Sequence, residues 1–179
     1  PGSPGTVTLS LTEYNRLSEL AIRKPTTAQP APLPYVLSRA GFNLRVEDQS
    51  IVGLINVDGS VFENGATKVP LISNWTVLDA KQTINPLPFM QEGLTHSAVL
   101  SGPGTFSVSL NVASPLTIEA GRASFLITAP AASSSVLFLD LPGNHANVRV
   151  EPGLITSRKT ENGHTLIEAT LEPGRPTRI

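Results

Sequence analysis

The chain has no cysteine in 179 residues. That absence excludes a disulfide framework, a thiolate metal site and a cysteine nucleophile, and it leaves the compartment open. Charge is scarce too, at 15% of residues against about 25% in ordinary globular domains, so Ser, Thr, Asn and Gln must cover the surface. A formal net charge of -1, with basic residues no denser than the isolated pairs Arg23 with Lys24 and Arg158 with Lys159, removes the usual electrostatic argument for nucleic acid or anionic membrane as a partner, and no nucleic acid is expected. No apolar run approaches the roughly 20 residues that span a bilayer. The N-terminus lacks the basic and apolar regions of a signal peptide, and no membrane insertion is expected of this segment. Residues 1–5 read as a linker, and residues 177–179 stop inside what reads as a continuing strand.

What is present is a long train of short alternating segments. At this length a chain can bury a substantial core without cross-links. Only one stretch has helical period: from Ser10, the residues Leu11, Tyr14, Leu17, Leu20 and Ala21 fall on one stripe, and Ser10 with Glu13 has the spacing of a capping box. Pro25 should stop that helix near Lys24, and Pro30, Pro32 and Pro34 make the following segment extended. Residues 1–34 are therefore expected to be a helix with a Pro-rich linker, and 35–179 the β domain. A lone helix of that length is marginal in water, so self-association through it, or docking at a distance, is the expectation.

After Pro34 the period becomes two. Phe42, Leu44 and Val46 alternate with polar residues, and residues 50–62 read as one bulged strand around Gly53 and Gly59. Turns are expected at Asn64 with Gly65, at Ser73 with Asn74, across residues 102–104, at Ala120 with Gly121, across residues 142–144 and at Asn162 with Gly163. Residues 83–93 read as a loop packed over one end of the core, with Leu87 between Pro86 and Pro88. Phe106, Val108 and Leu110 should be buried with Phe125 and Phe138, and Phe42 also sits in core phase. Residues 148–150 read as a further strand. The fold expected is all-β: a two-sheet antiparallel β-sandwich of about 10–12 strands with one short N-terminal helix.

Chemistry is sparse along this pattern. His96, His145 and His164 lie in separate turns or strand ends, and a zinc site needs three convergent ligands, so no metal is expected. Asp58, Glu63, Asn64 and Asp79 are calcium candidates only if they meet at one sheet end. Glu47, Asp48, Asp79, Glu92 and Asp140 supply carboxylates for glycoside chemistry, yet strand-end carboxylates are also a common device for keeping sheet edges soluble. Ser101 lacks the G-x-S-x-G context of a serine nucleophile. No catalytic residue and no cofactor is assigned, and an enzyme is disfavoured. Trp75 is the one aromatic left as a stacking platform for sugar, with capping of the sandwich end as its alternative role. The triplet Asn74, Trp75, Thr76 matches a glycosylation acceptor.

The segments KVPL (68–71), LSGPGTFSVSLNV (100–112), TAPAASSSVLFLDLPG (128–143) and LEPGRPTRI (171–179) resemble the N-terminal β region of large bacterial envelope proteins of uncharacterised function. The resemblance spans residue 40 to the C-terminus. It implies an extracytoplasmic location, periplasmic or cell-surface, within a longer and membrane-anchored protein, and it carries over no functional residue. The reading that results is a non-catalytic structural or protein-interaction domain whose partners are other segments of its own chain or an envelope protein. The alternatives are a carbohydrate-binding module with a glycan partner and, behind it, a sandwich-fold carbohydrate-active enzyme.

Overall fold

The computed structural model describes residues 10–21, 33–82 and 85–179. The chain divides into two compact units, Pro1–Pro30 and Ala31–Ile179. In the first, α1 (Leu11–Ala21) begins at the expected capping box. The Glu13 amide donates to Ser10 Oγ at 3.3 Å, and the Ser10 amide and hydroxyl both donate to Glu13 Oε2, which satisfies groups that a helix start otherwise leaves open. The expected helix end near Lys24, the stop at Pro25 and the extended segment through Pro32 lie outside the described residues.

The second unit is all-β. In chain order its strands are β1 (Tyr35–Glu47), β2 (Ser50–Ser73), β3 (Thr76–Gln82), β4 (Asn85–Pro86), β5 (Phe89–Glu92), β6 (Thr95–Pro115), β7 (Thr117–Glu119), β8 (Arg122–Ser124), β9 (Leu126–Thr128), β10 (Ala132–Pro142), β11 (Gly153–Glu161), β12 (His164–Leu171) and β13 (Pro176–Arg178). A nine-stranded sheet runs in the order β11-β12-β10-β1-β2-β6-β3-β4, with β5 on β6; β13 pairs β9, and β7 pairs β8. Two of the expected hairpin turns form as read: Asn162 and Gly163 have φ of 51° and 85°, and Ala120 and Gly121 have φ of 41° and 79°, the left-handed values of tight turns.

Two others do not form. The turns expected at Asn64 with Gly65 and across residues 102–104 are instead opposed bulges in one ribbon, because β2 and β6 pair on both sides of them. Val61 faces Gly104 and Gly65 faces Gly102, so Phe62, Glu63 and Asn64 stand opposite Pro103. Proline cannot donate to a ladder, and a bulge is where a sheet tolerates it. Ser73 with Asn74 is a corner, not a hairpin, since the end of β2 pairs with residues 95–102 of β6 while β3 pairs with residues 108–113. Part of the expected 83–93 loop forms β5, which pairs with residues 95–98, while Leu87 is buried as expected. Residues 148–150 are not a strand; only Glu151 bridges to Arg178. The pairing of β1 with β10 is parallel, a departure from the antiparallel expectation. No hairpin joins these two strands, so nothing forces the chain to reverse between them.

One face of the large sheet is the core. Phe42 and Leu44 of β1, Ile55 and Val57 of β2, Val108 and Leu110 of β6, Leu137 and Leu139 of β10, and Ile167 and Ala169 of β12 are all buried in a single cluster. Gly59 stays in this face because its Cα partner is Phe106, whose ring occupies the space a side chain would need: an added Cβ would stand 2.7 Å from Phe106 Cζ and 2.4 Å from the Val36 carbonyl. Phe106 and Phe125 are buried as the alternation requires, whereas Phe138 is 42% exposed. In the run 136–141 nearly every residue is apolar, and Phe138 takes the phase of Asp140, not that of Leu137 and Leu139.

Candidate functional site

The outer face of the nine-stranded sheet carries a trough of about 810 Å³ lined by side chains from β1, β2, β3, β6, β10, β11 and β12. Its floor follows from strand register. One row of Cα partners crosses the sheet as Ser157, Glu168, Phe138, Asn43, Leu54 and Asn111. Two residues along each strand, a second row reads Lys159, Leu166, Asp140, Arg45, Val52 and Ala113. Each of these is exposed or half-buried, and the residues between them on β1, β6, β10 and β12 are buried, as the period of two dictates. Leu78, 65% exposed, adds apolar surface at the β3 end.

Polar groups in and beside the trough are held by neighbours on the same face. Asp140 Oδ1 lies 2.7 Å from His164 Nδ1, Arg45 pairs with Glu47, and Lys81 Nζ lies 2.9 Å from Asp79 Oδ2. The hydrogen bond from Lys81 holds the Asp79 carboxyl below its ordinary range. The trough thus offers carboxylates, amides, cations and an exposed aromatic ring. Across the ladder Ser157 faces Glu168 and His164 faces Glu161.

Trp75, the expected stacking platform, is 4% exposed. Its indole Nε1 donates to the Leu126 carbonyl at 3.0 Å, and its ring meets Phe125 in a T-shaped contact at 6.2 Å. It ties β9 to the core and offers no face to a sugar. His96 is buried beside it, donating from Nε2 to the Trp75 carbonyl at 2.9 Å and stacked on Phe89 at 5.4 Å. His145 lies in a turn with φ 64°, and His164 stands beside the trough through its contact with Asp140. Asp58, Glu63, Asn64 and Asp79 do not share one sheet end, because Glu63 and Asn64 sit in the ribbon bulge and Asp58 faces Ser107 before it, while Asp79 faces Asn111. Among the described residues no group of three or more His, Asp or Glu converges to hold a metal ion, and no helix is long and apolar enough to cross a membrane. Phe138 is the site residue missed at the sequence level. The signal was Asp140 two residues on, a charged residue that marks the wet phase of an otherwise apolar run.

No family model matches the chain. No curated protein sequence matches it either. Its fold is similar to part of several larger solved structures. Against a two-domain M1 zinc metallopeptidase the TM-score is 0.57 at 15% identity, covering 81% of this chain and 42% of that one. The M1 zinc metallopeptidase from Deinococcus radiodurans gives 0.56 at 11% identity, covering 85% and 43%. Yeast LTA4 hydrolase gives 0.53 at 12% identity, covering 96% and 33%. The chain spans less than half the length of each, and at these identities the likeness is one of fold. The sequence contains no His-Glu-x-x-His, the zinc-binding helix signature of many metallopeptidases.

Proposed function

We propose that the chain is a non-catalytic binding module of a larger protein, which holds its partner against the outer trough of the nine-stranded sheet. The observation that carries this reading is the trough itself: a wide concave surface on paired strands, with Phe138 and Leu78 exposed and Leu54 half-buried, whereas Phe42, Phe106 and Phe125 are buried. Concave, partly apolar surfaces with a few fixed polar groups are where proteins place ligands. The fold neighbours support the larger-protein part of the reading, since each is more than twice as long as the share this chain covers. Their peptidase chemistry is not carried over, because no residues here reproduce it. Placement in a bacterial envelope protein rests on the resemblance of the turn and strand motifs.

The same proposal includes a two-layer sandwich. The first layer is β11-β12-β10-β1 with the N-terminal half of β2 and the C-terminal half of β6; the second is the remaining halves of β2 and β6 with β5, joined by β9 and β13. Support comes from the ribbon, whose inward residues on both sides of the bulge, Val57 and Val69 on β2 and Leu100 and Val108 on β6, belong to one core. A bulge of this kind bends a strand.

Chemical footprinting tests the binding reading. Lys159 and Glu168 are labelled in the chain alone, with added polysaccharide, and with the remaining segments of the longer polypeptide. Protection of both residues by either addition is expected. Equal labelling under all three conditions, or turnover of aminoacyl, ester or glycoside reporters by the chain, overturns the reading.

A further inference from the structure

We propose that the trough binds a neutral glycan chain lying across the strands, with the Phe138 ring as the platform for one sugar. The inference rests on the binding-module reading and names the chemistry of its ligand. It is carried by the order of side chains across the sheet. In the first row Glu168, Phe138, Asn43, Leu54 and Asn111 alternate hydrogen-bonding and apolar groups at every step. In the second row Asp140 and Arg45 separate Leu166 from Val52. A protein partner favours a contiguous apolar centre depleted in charge, whereas the Phe138 ring is bordered by Glu168, Asn43 and Asp140, and the contiguous apolar group of Leu54, Val52 and Ala113 lies beyond Asn43 and Arg45. A pyranose chain has the matching character, with apolar C–H faces bounded on every side by hydroxyls.

The spacing and charge agree. Strands stand about 4.8 Å apart, so Glu168 and Asn43 flank the Phe138 ring on both sides within reach of the hydroxyls of a sugar seated on it. Leu54, two strands further, offers a second apolar seat about 10 Å away, flanked by Asn43 and Asn111. Carboxylates accept from hydroxyls, Arg45 and Lys159 donate to them, and the amides do both. The two cations and the carboxylates of Asp140 and Glu168 sum to zero, which fits a neutral glycan and opposes sulfated or sialylated ones. Because the platform sits on paired strands whose other face is core, little ordering accompanies binding.

The test uses the full 179-residue chain on an array of neutral gluco-, galacto-, manno- and N-acetylglucosamine-configured oligosaccharides, beside heparin and sialylated chains, followed by calorimetry on the neutral hits. Binding to a neutral oligosaccharide is expected, weakened by about tenfold or more in Phe138→Ala, a loss of about 1.4 kcal/mol, and retained in Phe138→Tyr, with thermal midpoints unchanged. No neutral sugar bound, binding confined to anionic chains, or equal affinity in Phe138→Ala overturns the inference. Footprint protection by protein segments without any by sugars also overturns it, while leaving the binding-module reading in place.

Discussion

Phe42 and Phe138 stand on adjacent parallel strands, one register step apart, and meet opposite environments. Phe42 is paired with Leu137 and fully buried; Phe138 is paired with Asn43 and 42% exposed. Every strand in this part of the sheet therefore carries two programmes at once. The inner face is mainly apolar, with Ser135 and Thr165 the buried polar residues on β10 and β12, and closes on one core, whereas the outer face interleaves apolar and hydrogen-bonding groups. The first arrangement maximises burial, whereas the second keeps water out of no large area and so contributes little to stability. What it contributes is a fixed pattern of contacts, and the two faces should separate cleanly under mutation.

The largest effect belongs to the inner face. Phe42→Ala removes a fully buried ring and should destabilise the fold by about 3 to 5 kcal/mol, read from the urea midpoint. Phe106→Ala should fall in the same range, because its ring also covers Gly59. A midpoint within error of the parent for either variant would show that the inner face is not the core of the folding transition.

Gly59→Val tests the same face from the backbone side. The added side chain would meet both the Val36 carbonyl and the Phe106 ring, so either the ring leaves its seat or the β1–β2 register slips. A loss of about 1 to 3 kcal/mol is expected, and near-ultraviolet circular dichroism should report the altered aromatic packing. Parent-like stability would mean that the ring has room to move.

Trp75→Phe keeps an aromatic ring against Phe125 but deletes the donor to the Leu126 carbonyl. Leaving that acceptor unpaired should cost about 1 to 3 kcal/mol. Sugar binding should be untouched, since the indole lies away from the trough. Loss of glycan affinity in this variant would return the site to the position that composition alone singled out.

These contrasts also mark what the sequence disclosed. The inner face was legible wherever polar residues alternate cleanly, as in Phe106, Val108 and Leu110 between serines. It was not legible in VLFLDL, where both phases are apolar and only Asp140 discriminates. The helix start was readable because a capping box is a local chemical event, complete within four residues. The paired bulges of the β2–β6 ribbon were not, because Asn64 with Gly65 and the Gly-Pro-Gly segment each satisfy the local requirements of a turn, and only their meeting across the ladder decides otherwise. The trough was hidden for the same reason. Its rows join residues from six strands, and steps such as Phe138 beside Asn43 or Leu54 beside Asn111 bring together residues far apart along the chain.

The smallest effect is the most discriminating. Phe138→Ala removes as much ring as Phe42→Ala, from the next strand, yet the ring is half in water and its neighbours in the row are Glu168 and Asn43. Little burial is lost, no polar group is orphaned and no cavity opens beneath it, because Leu137 and Leu139 seal the other face. Stability should change by no more than about 0.5 kcal/mol, as for ordinary surface substitutions, measured in the same urea titration as Phe42→Ala. A loss comparable to that of Phe42→Ala would mean that the trough is closed in solution by the protein's own structure, and that the exposed aromatic serves packing instead of recognition. An unchanged midpoint with lost sugar affinity would separate the two faces of one sheet into one that folds the module and one that binds its ligand.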